Sequence, residues 1–331
     1  MFVVPFRASA GGSGLRQHKE WHFLRCRRER IPNPSTKSFR YCKARRLTNP
    51  RREDFLLKCS SSNIDDEILS YFAYGANVNS GVLGKRKLQF LSDKLRYGVP
   101  AALRGFSIQF NTRGLSENFE PAFANVVPGL PPEQVHGLVL GLTSAQVELL
   151  DAEEMRGRVY DHLPVQVHPY KGGDVIDAFT YVALPAAQVT GRRPSRRYLE
   201  VILEGARTWG LSTEYINALR ETPCSASPAA FVTGHFEKDL PLMTREELRM
   251  YDGSEPGRPL YVSVNGVVYD VTANASYYLA EERRHLPGTE IHDFLLSGWY
   301  HPQEDSSLRE ETSAGWSAFF SSKFQPIAKL V

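Results

Sequence analysis

Cysteine is scarce in these 331 residues, with four in all, Cys26, Cys42, Cys59 and Cys224. So few and so widely spaced, they make neither a disulfide framework nor a zinc site, and a reducing compartment is expected. No stretch of ~18 consecutive apolar residues exists, so no transmembrane segment is expected. No apolar core follows the first residues either, which argues against a secretory signal and a secreted protein. Internal repeats and low-complexity tracts are missing. Hydrophobic residues at 42% and charged residues at 23% exclude collagen, extended coiled coil and wholesale disorder.

Acidic residues are few at the start. Residues 1–60 hold fifteen Lys and Arg against four Asp and Glu, a net +11, so the remaining chain carries −8 within the overall +3. The mildly acidic remainder argues against nucleic acid as a partner. The basic segment, residues 1–62, reads as a disordered extension or an Arg- and Ser-rich transit peptide, which makes the expected location cytoplasmic or organellar (plastid or mitochondrion).

Globular patterning begins near Asp65. Ile68, Leu69, Tyr71, Phe72 and Tyr74 form a β-branched and aromatic run ending at Gly75, a buried strand by composition, with a helix expected near Val78. A second strand is expected over Gln134–Gly141, and Thr143 with Gln146 forms a capping box for a helix bearing Val147, Leu149 and Leu150. Strands are predicted over Tyr160–His168 and Ala178–Leu184. Ser195 caps a helix that places Tyr198, Val201, Ile202, Ala206 and Trp209 along one face, and Ser212 starts another with Ile216 and Leu219 inward. Residues 221–240 read as a linker. Beyond it, Thr244 and Glu247 form a capping box, and Asn265-Gly266 between alternating apolar runs predicts a two-residue hairpin.

Two places invite chemistry. The turn after the first strand, around Gly75 and Ala76, allows close backbone approach and an N–H cradle for a carboxylate. Asp151, Glu153 and Glu154 crowd a helix end, where the macrodipole and mutual repulsion raise a carboxyl pKa and favour a proton acceptor. Solvated carboxylates paired with Arg156 and Arg158 account for the same residues without chemistry. Glu154 follows Leu150 by four residues and should share its inward stripe, whereas Glu153 falls on a flank.

These segments together resemble the gamma-glutamylcyclotransferase family over roughly Tyr71–Leu219. YFAYGAN at 71–77 stands where the family has YFAYGSN, and Leu150-Asp151-Ala152-Glu153-Glu154 matches its LD-x-x-EG. Tyr160, Tyr181 in FTYVAL, Tyr198 in SRRY and Gly210-Leu211 follow in the family's order. The resemblance implies an α+β fold, a mixed β-barrel with flanking helices and a cavity at one end, for residues 65–220. It implies Glu154 as general acid and base. It places Tyr71, Phe72, Ala73, Tyr74, Gly75, Ala76, Asn77, Tyr160, Tyr181 and Tyr198 around a small γ-glutamyl substrate, which cyclises to 5-oxoproline without cofactor or metal. The leaving group could be an amino acid, an amine or the remainder of glutathione. Two positions depart from the pattern: Ala76 replaces serine, and Met155 replaces the glycine after the glutamate.

Residues 241–331 resemble the cytochrome-b5-like haem and steroid-binding fold in its membrane-associated progesterone receptor branch. The resemblance rests on YDGSEPGRPLYVSVNGVVYDVT from Tyr251 and on Gly315-Trp316-Ser317-Ala318-Phe319-Phe320. It implies a small α+β domain with Tyr278 as a possible haem ligand, although the family's GPGG turn is absent and His285 and His292 lie nearby. A non-catalytic haem- or lipid-binding protein or scaffold, with a protein partner of unknown kind, is the alternative to the enzyme.

Overall fold

The computed structural model describes residues 68–85, 97–227, 240–302 and 306–331, all within one compact unit, Asp66–Val331. The basic extension with Cys26, Cys42 and Cys59 and most of the expected linker lie outside the described residues. No described helix is long and apolar enough to cross a membrane.

Strand β1 (Ile68–Ala73) runs into a 3-10 turn, Ala76–Val78, and helix α1 (Ser80–Lys85). Then come β2 (Val99–Arg104), β3 (Phe106–Arg113), β4 (Ala122–Pro128), β5 (Gln134–Thr143) and α2 (Ser144–Glu153). β6 (Tyr160–Pro169), β7 (Ile176–Ala183), α3 (Arg196–Thr208) and α4 (Thr213–Arg220) complete this half. The predicted strands and caps appear at these places. Thr143 and Gln146 close a full capping box, while Ser195 and Ser212 accept from the backbone N–H three residues on. Leu149 is 56% exposed, and the core side of α2 is made by Val147 and Leu150.

Five strands close a barrel in the order β1-β5-β2-β6-β7. Four joins are antiparallel, and the fifth is a parallel bridge between Tyr71 of β1 and Phe179 of β7, so the barrel is mixed. Phe72, Leu103, Leu138, Leu140, Leu142 and Ile202 lie in the core on and around these strands with almost no exposure. Each such side chain contributes ~1.5–3 kcal/mol by leaving water. β3 and β4 form a separate two-stranded ribbon. Asn125 fastens it to the barrel, its side-chain oxygen accepting from Ala183 N at 2.8 Å.

In the C-terminal half, β8 (Leu242–Met243), α5 (Arg245–Arg249), β9 (Tyr261–Val264) and β10 (Val267–Asp270) lead into α6 (Ala275–Tyr278). α7 (His292–Ser297), α8 (Ser307–Lys323) and β11 (Gln325–Leu330) end the chain. The sheet order is β8-β11-β10-β9. Asn265 and Gly266 turn the predicted hairpin with φ of 52° and 77°, both in the left-handed region that a type I′ turn requires.

The two halves meet over α3. Glu120 and Arg197 form a buried ion pair at 2.7 Å, and Arg197 also donates to the Tyr300 carbonyl at 2.8 Å and stacks 4.4 Å over Trp299. Phe119 packs on both Trp299 and Trp316, with ring centroids at 5.5 and 5.1 Å. Gly315 of α8 abuts the Phe119 ring so closely that a Cβ there would overlap it, and Gly81 of α1 does the same against Tyr300.

Candidate active site

The wall of the site begins with a helix end. α2 stops in a Schellman arrangement, Met155 N–H donating to Ala152 O and Arg156 N–H to Asp151 O. That arrangement needs a left-handed residue after the cap, and Met155 takes it at φ 51°. The methionine thus stands where glycine would carry no steric cost. The turn leaves Glu154 buried, 8% exposed, in line with Leu150 at 0%. Its Oε1 accepts from Asn77 Nδ2 at 3.0 Å, and the same amide donates to Tyr71 Oη at 2.9 Å. Asn77 therefore ties the helix end to the turn after β1.

Asp151 does not line the cavity with Glu153 and Glu154 and is taken up by other partners. Its carboxylate accepts from Arg156 at 2.9 Å, from Tyr181 Oη at 2.5 Å and lies 2.6 Å from His162 Nε2. Burial alone would raise the Asp151 pKa, but hydrogen bonds from His162, Tyr181 and Arg156 outweigh it and hold the carboxyl below its ordinary range. Arg156 also pairs with Asp161, so part of the acidic end is indeed neutralised by arginine.

A cavity of about 450 Å³ opens beside Glu154 and Glu153, lined by Tyr71, Tyr74, Gly75, Ala76, Asn77, Tyr160, Tyr181 and Tyr198. Phe72 and Ala73, expected at the substrate, do not line it. They sit in register with Val139 and Leu138 of β5, fully buried in the barrel. Strand alternation turns Phe72 to the opposite face from Tyr71, and Ala73 has no reach beyond the ladder. At the turn, Gly75 has φ −97°, so left-handed freedom is not its role. A Cβ there would approach Tyr198 Oη to 3.4 Å. Gly75, Ala76 and Asn77, which open the 3-10 turn, all line the cavity.

The tyrosines are positioned by their hydroxyls. Tyr74 donates to Tyr181 O at 2.8 Å, Tyr160 donates to Ala124 O at 3.1 Å, and Tyr198 accepts from Ala124 N at 3.1 Å. Burial first, then neighbouring tyrosines and Glu154, push the Tyr74 pKa well up, and burial with the Asp151 hydrogen bond does the same to Tyr181. Both are therefore neutral polar walls near neutral pH. Arg197, Phe123, Glu282, Arg283, Trp299 and Tyr300 also reach the cavity, and sequence reading did not single them out. They come from other elements and the other half, and no local pattern brings them together.

Tyr278, the candidate haem ligand, is 5% exposed, edge-on to Tyr277 at 5.1 Å, and is not among the cavity's lining residues. A phenol so enclosed gives iron no approach, so Tyr278 as placed does not fit the part of a haem ligand. Nearby, His292 Nε2 lies 2.9 Å from Ser313 Oγ, and the His285 ring packs on Phe294.

Among known proteins, residues 134–219 match the AIG2-like family. Human gamma-glutamylcyclotransferase is 24% identical over 159 residues, covering 47% of this chain and 79% of the human protein. A solved structure described as gamma-glutamyl cyclotransferase aligns at 22% identity and a TM-score of 0.40, covering 48% of this chain and 90% of its own. Membrane steroid-binding protein 1 of Oryza sativa subsp. japonica is 47% identical over 36 residues, and the match spans only 16% of that protein and 11% of this chain. The chain thus carries an AIG2-like segment, a longer stretch similar to gamma-glutamylcyclotransferases, and a 36-residue stretch similar to a steroid-binding protein.

Proposed function

We propose that the barrel half is a gamma-glutamylcyclotransferase, with Glu154 as general base and then general acid. The observation that carries this reading is Glu154 itself, a buried carboxylate in the cavity wall, held by Asn77 beside the turn Tyr74–Asn77. The α-carboxylate of the glutamyl group rests against the turn's N–H groups and the Tyr198 hydroxyl. Glu154 takes a proton from the α-amino group, and that nitrogen bonds to the γ-carbonyl carbon of the same residue. The tetrahedral centre collapses, the bond to the outgoing nitrogen breaks, and Glu154 returns the proton to it. The products are 5-oxoproline and a free amine, so no atom, electron or proton needs an outside source. Folding the glutamyl chain into attack geometry supplies much of the acceleration, because both reacting atoms belong to one molecule.

The similarity to the human enzyme supports the reaction class, and the walls of neutral tyrosines suit a small polar substrate. Loss of serine at position 76 removes one hydroxyl and leaves the backbone intact. Release of 5-oxoproline from γ-glutamyl dipeptides tests the proposal. Glu154→Gln should lower kcat by roughly 10²–10⁴ while shifting KM little. Equal rates for wild type and Glu154→Gln would falsify the assignment.

A further inference from the structure

The cavity does not end at the barrel. It continues along the segment from α6 to the residues after α7, where Glu282, Arg283, Phe294, Gly298, Trp299 and Tyr300 form the opposite wall. A volume of about 450 Å³ lies in the usual range for small-ligand sites, ~300–1,000 Å³. We propose that this wall is the leaving-group subsite, and that Arg283 there selects γ-glutamyl conjugates of aromatic amino acids. The inference rests on the cyclotransferase reading and adds the substrate class to it.

Five charged residues line the cavity: Glu153, Glu154 and Arg197 from the barrel half, and Glu282 and Arg283 from the other. Arg197 is engaged by Glu120 and the Tyr300 carbonyl. Arg283 is held differently: its Nε donates to Tyr277 O at 3.0 Å, and its guanidinium lies 4.2 Å over the Tyr277 ring. Among the described residues it pairs with no carboxylate, since the neighbouring Glu282 is exposed at the rim and makes no bond to it. The two terminal nitrogens of the fork therefore remain for a carboxylate ligand, the group that a guanidinium binds best.

The rest of the wall is aromatic and fixed. Trp299 is clamped between Arg197 and Phe119, and Tyr300 packs on Gly81, where no side chain fits, with its hydroxyl bonded to Glu204. Rigid aromatic faces beside a cation suit a planar apolar side chain bearing a free carboxylate. With the glutamyl α-amine at Glu154, the outgoing amino acid extends toward this wall, its carboxylate on Arg283 and its ring on Phe294 and Trp299.

The test compares γ-glutamylphenylalanine with γ-glutamylphenethylamine, which differ only by the carboxylate, and with γ-glutamylglycine, which lacks the ring. Wild type should favour the phenylalanine conjugate over both in kcat/KM, by roughly tenfold to a hundredfold over the amine. Arg283→Met should bring the ratio between phenylalanine and phenethylamine conjugates toward one, mainly through KM, and Arg283→Lys should restore part of it. An Arg283→Met ratio equal to that of wild type overturns the inference, as does a preference for the glycine conjugate. Calorimetric binding of the same compounds separates the two readings. If wild type releases no 5-oxoproline but binds the phenylalanine conjugate more tightly than the amine in an Arg283-dependent way, the subsite stands and cyclisation falls. If wild type cyclises or binds all three conjugates alike, the subsite falls.

Discussion

Met155 holds a left-handed conformation at φ 51° immediately after the proposed base. For an L-residue that costs ~1–2 kcal/mol, and glycine there would relieve it at some expense in unfolded-chain entropy. Met155→Gly should therefore stabilise the protein by up to about 1 kcal/mol, measured by urea denaturation; a loss of stability would mean that the methionine side chain holds the turn by packing. A second residue-scale outcome concerns Asp151, whose pKa is lowered on folding despite burial, by His162, Tyr181 and Arg156. A carboxyl depressed in the native state stabilises it above the ordinary carboxylate range, ~3.9, and that contribution drains away as pH falls through the depressed value. Wild type should lose stability between pH 5 and pH 2 (roughly one to two units either side of the ordinary value) more steeply than Asp151→Asn. Parallel curves for the two proteins would refute the role given to this cluster. Sequence spacing alone grouped Asp151 with Glu154. What separates them is their partners: Asp151 bonds to His162 of β6 and Tyr181 of β7, while Glu154 continues the Leu150 stripe.

At the scale of elements, the legible parts were those whose signals are local. Thr143 with Gln146, Ser195, Ser212, Thr244 with Glu247, and Asn265-Gly266 each state their own geometry within four residues, and each forms it. The ribbon of β3 and β4 carries no such punctuation. Its register shifts between Gln109 and Thr112, and β3 buries its residues without clean alternation. Neither side of period two nor a short turn marks it, and only the pairing with β4 and the Asn125 bond define it. α2 is nearly without an amphipathic stripe, and Val147 and Leu150 are its buried residues, which makes its cap matter more than usual. Thr143→Ala should cost about 1 kcal/mol in stability and, because Glu154 ends the same helix, lower kcat as well. Unchanged kcat alongside the stability loss would show that the helix end is fixed by its Schellman turn rather than by its start.

For the whole molecule, the contact between the halves was invisible in the sequence because every member is remote. Phe119 and Glu120 lie just before β4, Arg197 is on α3, and Trp299 and Gly315 belong to the other half. Nothing local distinguishes Gly315 from a poor helix former, yet its missing side chain admits the Phe119 ring. Gly315→Ala adds helix propensity worth ~1 kcal/mol but overpacks the contact at ~1–3 kcal/mol. The sum should be net destabilisation with a cooperative transition broadened or split, read by denaturation followed through tryptophan fluorescence. A net gain in stability would mean that the ring yields easily and that the halves are only loosely joined.

Trp299 and Tyr300, seated on the barrel through Arg197 and Gly81, make the cavity a vessel with its lid welded in place. A barrel cut free of its companion would be an open cup, its acidic residue wetted by solvent and its appetite for outgoing groups broadened. Under the proposed function, fusion in one chain closes the site and narrows what can leave it.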